Sequence, residues 1–171
     1  MKIIFRISIL VFSSFIMGSC ATFTSDTIPD GLYLVERIDT VESDYKKIAH
    51  NEKALSFSSL FDEFTDHSYR RIIIKTDDYV PLELEKPPIA EQQTDKKKKL
   101  LLTLTNDASE YLIKFTSKHI MKSVVLVKDN EVLTMHTIKT PITSGQLQIT
   151  RCHDNACELL YSRLKNNQKN N

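Results

Sequence analysis

An α+β fold is the class this sequence predicts, with an antiparallel or mixed sheet carrying helices on one face. Three observations carry that expectation. The second half alternates apolar, β-branched runs with two amphipathic stretches, in the order strand, helix, strand, strand, strand, helix. Between two of those runs stands Asp129-Asn130, a pair that tolerates the left-handed backbone of a two-residue turn. The chain has 171 residues, 41% hydrophobic and 26% charged, which describes one globular domain with a core and at most a small appendage.

Residues 1–19 have the layout of a signal peptide. Lys2 and Arg6 form a basic start, and Ile7 to Ile16 an apolar stretch too short to span a bilayer comfortably. Met17-Gly18-Ser19-Cys20 then resembles a bacterial lipobox, with Met17 where Leu is most common. That resemblance implies cleavage before Cys20, a lipid on its sulfur and anchorage to a bacterial membrane, outer before inner. The domain would then lie in the periplasm or at the cell surface. An ordinary signal peptide with an incidental cysteine is the alternative. Losing Lys2 and Arg6 takes the 23 basic residues to 21 against 22 acidic, a net of −1, so nothing points to nucleic acid as a partner.

Residues 20–30 are polar and read as a tether. The N-terminal portion, 31–85, begins with a strand over Leu32 to Ile38. Phe57, Leu60, Phe61 and Phe64 have the spacing of a short amphipathic helix. The carboxylates of Asp62, Glu63 and Asp66 read as its solvated face. Arg71 to Thr76 is a β-branched strand, and Val80 to Leu84 a second short one, at an edge because of Pro81. Residues 86–99 carry two prolines, two glutamines and four consecutive lysines, and are expected as an exposed linker.

The unit at 100–165 opens with a strand over Leu100 to Thr105. Asn106 or Asp107 caps a helix, Glu110 completes a capping box with Asp107, and Ala108, Tyr111, Leu112 and Phe115 form its core stripe. Ser123 to Lys128 and Glu131 to Ile138 form the hairpin about Asp129-Asn130, with Lys128 facing Glu131. A loop of Lys139, Thr140, Pro141, Ile142, Thr143, Ser144 and Gly145 leads into a strand at Gln146 to Thr150 and a helix from about Asp154 to Leu164. The tail, 166–171, has nothing to bury.

Residues 100–165 resemble the head subdomain of the first large periplasmic region of SecD, the Sec translocon accessory subunit. The pattern runs through Leu102, Leu104 and Thr105, Ala108, Phe115 and Thr116, Val124 to Val127, the Asp129-Asn130 turn, Val132 and Leu133, Ile138, Pro141-Ile142, Gly145 and Ile149. Where that family usually has glycine, Met121, Asn130 and Ser144 stand here. SecD also carries membrane helices that couple ion flow to export, and none is read in this sequence. The resemblance therefore implies a fold and at most a share in handling exported chains. The whole layout also resembles small lipoproteins of Bacteroidota-type bacteria.

The five histidines lack metal spacing and no Gly-x-Ser-x-Gly elbow exists, so neither an enzyme nor a cofactor is expected. His136, alternating with Thr134 and Ile138, reads as a surface or rim residue. Cys152, His153, Asp154 and Cys157 would make four ligands, yet the cysteines are too far apart for a zinc knuckle and no second pair exists. A Cys152–Cys157 disulfide and an unpaired Cys157 packed beside Leu160, Tyr161 and Leu164 stay equally open. The contact surface for a partner is expected at the Lys139 to Gly145 loop. The expected function is a lipid-anchored binding or accessory module that meets exported, unfolded or surface proteins. A structural lipoprotein unrelated to export is the alternative, and a thiol-redox or metal protein a third.

Overall fold

Alternation of apolar side chains builds the first strand, β1 (Gly31–Asp39). Leu32 and Leu34 enter one apolar cluster, and Tyr33 and Val35 another on the opposite side. The computed structural model describes residues 27–39, 46–58, 71–94 and 97–165. The expected signal peptide, Cys20, the helix through Leu60, Phe61 and Phe64 with its carboxylates, and the tail lie outside the described residues.

Further elements follow in chain order: β2 (Glu52–Leu55), β3 (Arg71–Pro81), β4 (Ile89–Thr94), β5 (Lys97–Thr103), α1 (Asn106–Lys118), β6 (Ser123–Lys128), β7 (Glu131–Thr137), β8 (Gln146–His153) and α2 (Asp154–Lys165). The fold is α+β, and from β5 onward the order is the expected one. The strands form two antiparallel sheets, not one: β2-β3-β1-β6-β7 and β4-β5-β8. β6 pairs with β1, which draws the N-terminal strands into the sheet of the β6–β7 hairpin. Leu32, Leu34 and Val80 accordingly share one core with Leu100, Leu102, Leu112, Phe115, Leu160 and Leu164. Both helices contribute to that core.

Several expectations change. The two strands expected at Arg71 to Thr76 and Val80 to Leu84 are one strand, because β1 offers partners along its length and bulges absorb the irregularity. Leu84 makes only an isolated bridge to Leu104, and Phe57 a parallel bridge to Val132 rather than a helical turn. The expected linker at 86–99 holds a hairpin: β4 pairs with β5, and Lys99 reaches Glu91 at 3.0 Å. Alternation of Leu100 and Leu102 into the core fixes the face of β5 and carries the lysines with it. The cap of α1 is Thr105, whose side chain accepts from the Ala108 N–H at 3.4 Å. Tyr111 is 56% exposed, and Thr116 takes its place on the buried stripe. Residues 108, 112, 115 and 116 lie on one helical face, while 111 sits on its flank.

The Asp129-Asn130 turn has φ of 53° and 63°, as a two-residue hairpin requires. Met121 is also left-handed, at 64°. The backbone thus keeps the glycine-type conformation at Met121 and Asn130 without the glycines. Lys128 and Glu131 face each other in register, but their charged ends go elsewhere. The Lys128 ammonium, 2% exposed, donates to Asp30 at 3.0 Å, and Arg163 of α2 reaches Glu131 at 2.6 Å. The Asp129 N–H donates to Asp30 and the Ile28 N–H to the Asn130 side chain. The hairpin tip therefore clasps both the segment before β1 and the last helix.

Candidate functional site

Polar residues on the inner face of a β-strand mark where the core stops being closed. On β7, Thr134 and His136 stand opposite Leu126 and Val124 of β6, facing the space between the sheets. An open cavity of about 280 Å³ lies there. Its floor is apolar, formed by Leu32, Val124, Leu126, Leu147 and Ile149. Its rim carries hydroxyls from Thr134, Thr137 and Thr140, together with His136, Gln148 and Lys139, and the buried Thr116 lies in its wall. Lys139 is the sole charged side chain of the described lining, apart from what His136 carries when protonated.

The loop expected as the contact surface forms one wall of this cleft. Lys139, Thr140 and Ile142 line it, and Pro141, Thr143 and Ser144 are exposed beside it. Two devices hold the loop in shape. Thr116, fully buried, donates to the Leu112 carbonyl at 2.7 Å and accepts from the Ile142 N–H at 3.0 Å. Gly145 (φ 65°) packs so tightly that a Cβ would lie 2.5 Å from the Ser109 hydroxyl, so only glycine fits. Gly145 is buried and serves as a joint, not as a contact residue.

His136 is half-buried at the rim of the cleft, the second of the two positions expected for it. Burial holds its pKa below the ordinary value, which favours the neutral ring. Its Nε2 lies 2.8 Å from the Thr134 hydroxyl two residues away on the same strand face, which satisfies both groups. Among the described residues no three His, Cys, Asp or Glu side chains converge as metal ligands. Cys152 lies on β8 opposite Lys98, and Cys157 in the first turn of α2. Their side chains lie outside what is described.

Beyond the mouth, the chain after α1 is tied to the end of β7. The Met121 N–H donates to the Ile138 carbonyl at 2.7 Å, and the Ile138 N–H to the Lys122 carbonyl at 3.0 Å. Ile120 and Met121, 44% and 71% exposed, therefore sit at this pole beside Lys122. Nearby, Asp78 meets Lys118 at 2.6 Å and His119 at 3.0 Å. Burial alone would raise the Asp78 carboxyl, but hydrogen bonds from Lys118 and His119 outweigh it and hold the pKa low. The clasp about Asp30 and Lys128 lies at the opposite end of the β6–β7 ladder.

The sequence singles out the loop, three residues of which line the cleft, but not the floor. Leu32 and Ile149 meet only through the pairing of β1 with β6 and β8 with β5. Thr116 had a usable signal: a hydroxyl at a core position of an amphipathic stripe.

With that geometry in place, the chain is similar to a crystal structure of SecDF in a super-membrane-facing form: 19% identity, TM-score 0.47, covering 79% of this chain and 18% of that one. It is also similar to a structure of a membrane component SecDF that enhances protein export: 18% identity, TM-score 0.46, covering 79% of this chain and 59% of that one. This chain spans under two thirds of either. No protein-family model matches it, and no curated protein does. No helix of the described residues is long and apolar enough to cross a membrane.

Proposed function

We propose that this protein is a non-enzymatic binding module of the cell envelope that holds an exposed segment of another polypeptide, an exported or surface protein. The observation that carries this reading is the open, apolar-floored cleft walled by a loop pinned at Ile142 and Gly145. A hydroxyl-rimmed apolar trough suits a chain that presents both side chains and backbone, and a fixed wall lowers the entropy lost on binding. The exposed Ile120 and Met121 extend the apolar surface past the mouth. A lipid on Cys20 would keep the module at a bacterial membrane, outer before inner, with the domain in the periplasm or at the surface.

Photo-cross-linkers at Thr140 and Thr143 in living cells test the reading. Adducts with many newly exported chains are expected. A single abundant envelope partner would replace it with a structural lipoprotein. Inhibiting lipoprotein processing should shift the size of the mature protein, and an unchanged size would remove the anchor. In intact-mass measurements, a two-hydrogen difference on reduction would mark a Cys152–Cys157 bridge.

A further inference from the structure

One side of the cleft is formed by β8, at the margin of its sheet. Leu147, Gln148 and Ile149 all line the cavity, although successive side chains of a strand point to opposite faces. The cavity thus meets the inner side chains of Leu147 and Ile149 and reaches Gln148 between them, on this marginal strand. That strand pairs with β5 on its other side, and among the described residues its outer side makes no backbone hydrogen bond. The Leu104 N–H bonds the Gly145 carbonyl, so alternation turns Leu147 and Ile149 toward β5 and leaves the N–H and C=O of Gln146 and Gln148 facing outward. Gln148, whose backbone groups face that outer edge, is also among the residues that line the cleft.

The geometry points to strand addition: an extended polypeptide segment pairs with the outer edge of β8 through Gln146 and Gln148. Its alternate side chains then rest on the apolar floor between the sheets. Charge complementarity narrows the occupant. The described lining contains no carboxylate, Lys139 stands at the rim and Lys122 is exposed beside the mouth. The favoured segment is apolar and β-branched, carries an aspartate or glutamate, and lacks lysine and arginine. This inference rests on the polypeptide-binding reading and adds the mode and chemistry of that binding.

Binding of capped, fluorescent peptides to the full-length chain tests it by anisotropy. The parent peptide alternates valine and threonine and ends in one aspartate. Its twin is methylated on the amide nitrogens of the edge that would face β8. The parent should bind saturably and the twin at least about tenfold more weakly, since two hydrogen bonds are lost. Gln148→Pro should weaken the parent similarly, and Lys139→Glu should turn the preference from a terminal aspartate to a terminal lysine. Equal binding of parent and twin would overturn strand addition while leaving polypeptide capture standing. Binding of neither would bring down both. A dimer in sedimentation that excess parent peptide does not dissociate would give the edge to a second copy and overturn the proposal.

Discussion

At the scale of single residues, Met121 holds a left-handed backbone that glycine adopts freely. Met121→Gly should raise stability by about 0.5–1 kcal/mol, read as a higher urea midpoint at unchanged slope. Asp30 behaves in the opposite way. It accepts from the buried Lys128 ammonium and from the Asp129 N–H. Asp30→Ala should cost about 3 kcal/mol, because a charge stays buried without its main partner, and adding Lys128→Met should restore most of the loss. His136 sets a pH dependence. Its pKa is lowered in the folded protein, so below the ordinary value of 6.5 the unfolded chain takes up the proton first. Stability should therefore fall as pH drops from 6.5 toward the folded pKa. A His136→Gln protein should lack that component in denaturant midpoints measured across the range.

Among the elements, legibility followed local pattern. The β6–β7 hairpin was readable because Asp129-Asn130 encodes its turn within two residues. The order from β5 to α2 was readable because each element carries its own periodicity. The β4–β5 hairpin was not. Prolines and lysines dominate residues 86–99, and the register comes from Leu100 and Leu102, which lie just beyond them. Nor was the length of β3 readable, since Asp77 and Asp78 interrupt its apolar run and only β1 carries the strand past them. Asp78 is then held by Lys118 and His119 at the end of α1, a contact across 40 residues that no local window contains.

For the whole molecule, the N-terminal strands and the unit at 100–165 depend on one core. A fragment of residues 100–165 would expose the edge of β6 that β1 covers and lose Leu32, Leu34 and Val80 from its packing. It should show no cooperative unfolding transition, whereas the full chain should show one, monitored by circular dichroism in urea. The cleft was illegible in the sequence for the same reason: its floor is assembled from β1, β6 and β8, and neither its volume nor its open edge exists before those registers are set. The clasp at the hairpin tip has a mechanical consequence. The chain enters β1 at Gly31, beside Val127, while the cleft opens toward the Val124 and His136 end of the same ladder. Were the N-terminus anchored and a partner seated in the cleft, as proposed above, tension between them would run along the axis of β1, which is flanked by β3 and β6. The strand would have to slide past both neighbours with every rung loaded together, rather than peel away one rung at a time.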